Sequence, residues 1–537
     1  MVHDISDLVA LAAQEVPERR AVVESGGRSI TWLDLEAEVA AIAAGLAGVG
    51  IRAGQRVLIA MGNRLEFVST YLGVLRAQVV AVPVNPVATP EALARQIADS
   101  GSRLVVADPL SLPAVRAAVA LLVRAIEGDD FGLGEELLAR VSRPIVVVVE
   151  ADPEPGEITF ADLHAHHPDP VPPLQDPEKL AALLFTTDGE GRSRAAMLTH
   201  RALLANLDQV AAISPPMMHG DDVVLGVLPL FHIYGLNAVL GAVLRSRARL
   251  VLAEFWDPQA ALDLIEDEAC SVLPLAPPVF AHWLGDPHLR DRLGPVRLVV
   301  SGSAALSAEI IDAFREATGL EVQQGFGLTE ASPVVTSTLA SEHPYRGSVG
   351  APLSGVEVRL VDDACAVTNG EDPAHIQIRG ANLFSGYWPD GADGPSPATD
   401  ADGGGWWSTG DVGIFAEGGD LMLLDRAEEV VVVSGFSVYP SEVEQVLREV
   451  PGVEAVAVLG ADHEATGQEV VAYLQAPGVD VAAVAEAAAA VATERLAAYK
   501  RPTRVEIVDE LPRSLSGRVS KRELRGAQRR RVLGLLT

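Results

Sequence analysis

The stretch Thr186 to Ala195, TTDGEGRSRA, has the residue types of a loop that grips phosphate. Thr186, Thr187, Gly189 and Gly191 leave backbone N–H groups accessible to oxyanions, and Arg192 and Arg194 add positive charge. Asp188 and Glu190 sit in the same loop and oppose that chemistry. At roughly 4 Å and an effective dielectric near 20, each carboxylate–phosphate pair costs about 4 kcal/mol of repulsion, which the arginines offset only in part. Read alone, the stretch also fits a surface Asp-Gly turn that never meets phosphate. A second string, Gln323-Gln-Gly-Phe-Gly-Leu-Thr-Glu330, combines an aromatic ring, glycines that permit close backbone approach, a hydroxyl and a carboxylate. A third, Leu228-Pro-Leu-Phe-His-Ile-Tyr-Gly235, places His232 in an apolar run, where a histidine is more often a satisfied core residue than a ligand.

These strings need a scaffold, and the chain is long enough for one. Its 537 residues can build more than one domain. A formal net charge of −32 excludes general nucleic-acid binding, and it obliges any anionic ligand to find a local cationic site. Cys270 and Cys365 lie far apart without metal-ligand spacing, which points to a reducing, cytoplasmic compartment. The N-terminus, MVHDISDL, lacks the basic region and apolar core of a signal peptide. The charge-free run Val223 to Leu244 is interrupted by Pro229, His232, Asn237 and glycines, so no membrane span is expected. Of 41 basic residues only Lys179, Lys500 and Lys521 are lysines.

Strands and helices alternate through the first third. Thr31-Trp-Leu-Asp34 resembles a capping box opening a helix to about Gly48. Arg56 to Ala60 and Val79 to Pro83 read as buried strands with a helix from about Leu65 between them, and Ile145 to Glu150 as another strand. Ala151 to Pro177, with His164, His166 and His167, reads as a long solvated connection instead of a metal site. Alternation resumes from about Leu180 to Leu320, followed by glycine-rich, sheet-like sequence to about Gly413. Helices are expected near Glu442–Glu449 and from about Ala482 to Tyr499, with a domain boundary near Asp425.

Taken in order, the strings resemble the adenylate-forming superfamily of acyl-CoA synthetases, peptide-synthetase adenylation domains and luciferases. The resemblance runs from Thr31 to Arg525. It implies an α/β fold with a β-barrel-like part. The large N-terminal domain, 1–424, would hold two layered α/β subdomains plus a β subdomain. The small α+β C-terminal domain, 425–537, would rotate about the Asp425 hinge. Residue by residue, it implies that Gly302, Ser303, Ala304, Gln324, Gly325 and Phe326 bind adenylate and that Thr329 meets the α-phosphate. Glu330 would be the magnesium carboxylate, and His232 would lie beside the substrate carboxyl group. Asp411 and Arg426 would reach the ribose, while Ser434 and Gly435 would line a tunnel for the pantetheine of coenzyme A.

The departures cluster. The family's loop reads close to TSGTTG-x-PKG. Here Asp188, Glu190, Ser193 and Arg194 replace glycine, threonine, proline and lysine. The family's C-terminal SGK reads Ser516-Gly-Arg518, and Glu428 follows the hinge where lysine is common. Lys521 matches one of the family's following basic positions and is not taken as the missing lysine. An arginine-rich composition accounts for Arg194 and Arg518 but not for Asp188 and Glu190. The altered elements serve ATP-dependent adenylation, and the retained ones serve adenylate binding and thioester formation. The expectation is a non-adenylating acyl-CoA ligase that takes a preformed acyl-AMP and coenzyme A, with magnesium dispensable. It is similar to the split ligases of platensimycin/platencin-type biosynthesis, which implies a separate adenylating enzyme as partner. A carrier-protein pantetheine is an alternative acceptor. A complete ATP-dependent synthetase and a binding pseudoenzyme are the competing readings.

Overall fold

The computed structural model describes residues 2–128, 141–164, 171–187, 193–254, 256–303, 306, 308–362, 364–370, 372–389, 404–426, 429–433, 436–463, 467–513 and 519–532. It divides into two compact units. The first comprises Met1–Thr186, Ser193–Glu357 and Arg379–Trp406, and the second Thr187–Arg192, Val358–Ile378 and Trp407–Thr537.

Two sheets organise the first unit. In one, the strands Arg20–Glu24, Arg249–Leu252, Val223–Gly226, Val272–Leu275, Leu298–Ser301 and Val322–Gly327 run parallel, in that order. Antiparallel strands extend both sides: Ser29–Thr31 at one, Val334–Ser337 and Ala351–Pro352 at the other. In the second sheet Val80–Pro83, Arg56–Ala60, Leu104–Ala107 and Ile145–Val148 are parallel neighbours. Their valine- and leucine-rich sequences are buried, as expected when helices cover both faces of a parallel sheet. Helix ends follow local sequence. Thr31 accepts from the N–H of Asp34 and caps the helix Trp32–Gly48. Thr89 and Pro90 start Pro90–Ser100, which ends at Gly101 in the left-handed region.

The second unit holds most of an open sheet in the order Val356–Val361, Ala374–Gly380, Trp407–Phe415, Leu421–Arg426. The expected barrel-like part is therefore corrected: among the described residues the first and last strands do not pair, so the ladder never closes. Beyond it, Phe436–Val438, Val431–Val433, Gly467–Gln475, Ala455–His463 and Arg504–Val508 form a mixed sheet. The helices Pro440–Leu447 and Val481–Arg495 pack on it through Val443, Leu447, Val484 and Ala488.

One sequence expectation needs amendment. The connection from Ala151 to Pro177 is not featureless: Ile158–Thr159 adds to the second sheet, and a reciprocal Thr159–Asp162 capping box opens the short helix Phe160–Leu163. His164 is half-buried there. Glu38 raises its pKa above the ordinary histidine value, against the effect of burial. His166 and His167 lie outside the described residues, and no metal-holding group of His, Cys, Asp or Glu occurs among those described. The apolar run from Val223 to Leu244 is a strand and then the π-helix Tyr234–Gly241, and no described helix is long and apolar enough to cross a membrane.

Candidate active site

In the first unit the site is assembled at the ends of three strands. Ser301 pairs with Gln324, which sets Gly302 beside the Gln323-to-Glu330 string. A Cβ on Gly302 would stand 2.8 Å from the Tyr234 ring, so only glycine lets the apolar His232–Gly235 segment approach. Ser303 follows with φ of 68°, a strained backbone for a residue with a side chain. Asn63 pins the start of the apolar string: it accepts from Leu230 N–H and donates to the carbonyls of Gly226 and Leu228. Asn237, inside the π-helix, donates to Leu203 and to Ser332. It thus ties the His232 segment to the turn that follows Glu330. A π-helical turn at such a place is a frequent companion of functional sites.

The Gln323-to-Glu330 string runs from strand into the 3-10 turn Thr329–Ala331. Gln324 spends its amide on the backbone of Leu306 and Ser348. A Cβ on Gly325 would meet the Thr336 carbonyl at 2.8 Å. Phe326 is 7 % exposed. Glu330 is buried, and its carboxylate accepts a 2.7 Å hydrogen bond from the Tyr387 hydroxyl. The Arg194 guanidinium carbon lies 5.3 Å from the centre of the Tyr387 ring. Backbone pairing of Tyr387 with Ala196 creates this arrangement, because it lays Tyr387–Trp388 along Ser193–Thr199. One ring therefore links the arginine that replaces the loop lysine to the expected magnesium carboxylate. Magnesium usually takes one or two protein carboxylates and completes its shell with water and phosphate. A single carboxylate held by a neutral donor fits that role, so Glu330 would hold the ion and the ion would offset phosphate charge.

Several buried polar atoms here have no partner among the described residues: the Tyr234 hydroxyl, Ser301 Oγ and Ser332 Oγ. Burial also pushes the Tyr234 hydroxyl pKa well above the ordinary tyrosine value. Unpaired buried hydroxyls are costly and suit a site that a polar ligand completes. His232 is exposed, and its Nδ1 accepts from the Tyr234 N–H at 3.2 Å.

In the second unit, Asp411 and Arg426 face each other across an antiparallel ladder, and the Asp411 N–H donates to Thr409. The adjacent Asp425 accepts from the N–H of Ser441 and is held above the ordinary carboxylate pKa, chiefly by burial. Thr186 and Thr187 end the strand Leu180–Thr187. Asp188, Gly189, Glu190, Gly191, Arg192, Ala304, Glu428, Ser434, Gly435 and Arg518 lie outside the described residues. In the sequence Tyr234 stands out only as a member of the Leu228-to-Gly235 string and Asn237 only as a break in an apolar run, while Asn63 and Tyr387 carry no local mark. The partners of Asn63, Asn237 and Tyr387 lie far away in the chain, as does the Gly302 that packs on the Tyr234 ring, so no local spacing marks them.

With that geometry in place, comparison with known proteins is direct. Residues 9–388 match the AMP-binding enzyme family, and residues 442–518 match the AMP-binding enzyme C-terminal domain. The chain belongs to the AMP-binding, adenylate-forming superfamily and to its acyl-CoA ligases. It is 32% identical to a long-chain-fatty-acid–CoA ligase of Escherichia coli O157:H7, over 94% of this chain and 91% of that one. The ATP-bound crystal structure of MatB from Rhodopseudomonas palustris is similar with a TM-score of 0.84 and 28% identity, covering 97% of this chain and 98% of that one. The amide bond synthetase McbA from Marinactinospora thermotolerans is similar with a TM-score of 0.80 and 28% identity, covering 97% and 99%. Membership implies coenzyme A and acyl-adenylate as substrates. It also confirms the mixed α/β fold, with a large N-terminal and a small C-terminal part.

Proposed function

We propose that this enzyme is a non-adenylating acyl-CoA ligase: it converts a preformed acyl-adenylate and coenzyme A to acyl-CoA and AMP. The observation that carries the proposal is the pair Asp188 and Glu190 in the phosphate loop. Two carboxylates there oppose a triphosphate, whereas an acyl-adenylate brings a single phosphoryl group to a different part of the site. Arg518, standing for the lysine of the adenylation step, agrees with the same loss. In the retained step the coenzyme A sulfur attacks the acyl carbonyl carbon, the bond from that carbon to the phosphate oxygen breaks, AMP leaves with its electrons, and the thiol proton is released. Rate would come from holding sulfur and carbonyl together through Gly435 and His232, with Thr329 and backbone N–H groups stabilising the charge gained by AMP. The C-terminal part, 425–537, would turn about Asp425 to bring the Gly435 loop into place. A separate adenylating enzyme would supply the acyl-AMP, in the cytoplasm, and a carrier-protein pantetheine is the competing acceptor.

A complete ATP-dependent synthetase is the second reading, favoured by one observation. Arg194 remains fixed on Tyr387, whose hydroxyl holds Glu330, so a cation and a magnesium carboxylate stay together. The names of two relatives, the long-chain-fatty-acid–CoA ligase and a 4-coumarate–CoA ligase-like protein of Oryza sativa, suggest a long-chain fatty acyl group and the 4-coumaroyl group as first probes. Each acid is supplied with ATP, magnesium and coenzyme A, or as its synthetic adenylate with coenzyme A alone. Acyl-CoA from the adenylate only supports the divided reaction. Acyl-CoA from both, with pyrophosphate release, overturns it in favour of the complete synthetase.

A further inference from the structure

Lys521 is one of only three lysines among the 41 Lys and Arg residues of the chain, the rest being arginine. It begins the helix Lys521–Val532, an unfavourable place for a cation, because the helix dipole is positive at that end. What holds it there is a set of acids from distant parts of the second unit. Its Nζ lies 2.7 Å from Glu429 Oε2 and 2.9 Å from Glu444 Oε1. All three side chains are at most 20% exposed. Glu444 also accepts from the N–H of Val458, so the strand Ala455–His463 joins the cluster. Burial alone would push the ammonium pKa down; Glu444, Glu429 and Asp425 outweigh it and hold Lys521 above the ordinary lysine value. Arginine would not serve equally. An ammonium offers three donors in a tetrahedral spread and reaches acids arriving from different directions, whereas a guanidinium needs a planar approach.

The position of the cluster gives it a consequence. Glu429 lies four residues beyond Asp425, and Lys521 lies three beyond Arg518. Around Lys521 the backbone is already closed, by the antiparallel bridge Arg513–Val519 and by the Ser520 N–H donating to the Pro512 carbonyl. We propose that Lys521 is a positioning residue that locks the segment after Asp425 to the helices Pro440–Leu447 and Lys521–Val532, so that everything beyond Glu429 turns as one lever. The proposal rests on the hinge reading of Asp425. A loose cluster would let the chain pivot at Asp425 without carrying the rest of the unit to the reaction.

The test uses the full-length enzyme with whichever synthetic adenylate it turns over, at a temperature where melting curves show each variant folded. Lys521→Met should lower kcat for thioester formation between about ten- and a hundredfold. The KM for adenylate should stay within about twofold, because the lysine touches no substrate. Lys521→Arg and Glu429→Gln should fall between, and Lys521→Met with Glu429→Gln should be no worse than Lys521→Met alone. A readout free of substrate is amide hydrogen exchange, which should rise together at 429–433 and 519–532 in Lys521→Met. Unchanged kcat in folded Lys521→Met, or a kcat and KM that fail together, overturns the proposal. Asp425→Pro separates it from the hinge reading, since proline removes backbone freedom there. An Asp425→Pro enzyme with full thioester formation removes the hinge itself. An inactive one beside a fully active Lys521→Met leaves the hinge and rejects only the role of Lys521.

Discussion

Around Gly302 in the first unit, the Tyr234, Ser301 and Ser332 hydroxyls are buried with no partner among the described residues. Around Lys521 in the second unit, the buried charges have found one another, across 92 residues of sequence in the case of Glu429. Both regions pay to remove polar atoms from water, but only one recovers the cost within the protein. The difference separates two uses of buried polarity. An unsatisfied cluster suits a site that a polar ligand completes, and a satisfied one holds a shape.

The largest effect should come from breaking the satisfied cluster. Lys521→Met strands two acids without their cation, and losing one partner of a buried pair costs about 3–5 kcal/mol. Chemical denaturation followed by a probe in the C-terminal part should move by that order. A shift under about 1 kcal/mol would mean that water reaches the cluster and that the lock is a surface ion pair.

A control lies in the first unit, away from Gly302. Glu66 is gripped by Arg28 at 2.7 Å and by Arg64 at 2.8 Å. Burial alone would raise its pKa, but the two guanidinium groups bring it to about 2. The folded pKa lies below the unfolded one, so the unfolded chain binds more protons between them. The stabilisation is present above about pH 4.5 and is lost as the pH falls towards 2. Glu66→Gln should lower stability at pH 7 and flatten the acid limb in urea midpoints taken at pH 7, 5 and 3. An unchanged limb would show that saturation counts for less than the comparison claims.

Tyr387 sits between the two cases, because its hydroxyl is satisfied but by a group assigned to a ligand. Tyr387→Phe keeps the ring under Arg194 and removes the donor to Glu330. A hydrogen bond to a charged group is worth about 1.5–3 kcal/mol, so stability should fall by that order. Added magnesium should restore part of it if Glu330 takes the ion. No loss on substitution would mean that water replaces the hydroxyl without cost.

Much of this arrangement was legible from the chain, for physical reasons. The strand Arg56–Ala60 and the helix opened by Thr31 depend on local pattern and capping, so they were found within a residue or two. Asp411 and Arg426 were named because the family resemblance extends to their positions, and the ladder register sets them opposite. The bond from Tyr387 to Glu330 spans 57 residues and follows from how Tyr387–Trp388 lies along Ser193–Thr199, which no local spacing encodes. The π-helix was hidden because its composition suits an α-helix equally well, and the wider backbone hydrogen-bond ring that distinguishes it leaves no mark in local spacing. The β-barrel-like part was implied by the resemblance alone, and its sheet stays open because whether the outer two strands meet is decided by tertiary pairing that no local pattern announces.

The smallest effect on stability should come from the unsatisfied cluster, and its sign should reverse. Tyr234→Phe removes a buried hydroxyl that has no partner among the described residues. The ring and nearly all the volume stay, so packing against Gly302 is kept. The ligand-free enzyme should be as stable as the parent or gain up to about 1 kcal/mol, the reverse of an ordinary core tyrosine. Binding should move the other way. An acyl group that brings a hydrogen-bond acceptor to this depth should lose about 0.5–1.5 kcal/mol of affinity, or roughly two- to tenfold in Kd. A hydrocarbon chain of similar length should lose nothing. Comparing the two acyl classes on the parent and on Tyr234→Phe therefore reads out the polarity of the natural acyl group. A ligand-free Tyr234→Phe protein destabilised by more than about 1 kcal/mol would show that the hydroxyl has a partner in solution, and the distinction between the waiting cluster and the locked one would fail at that residue.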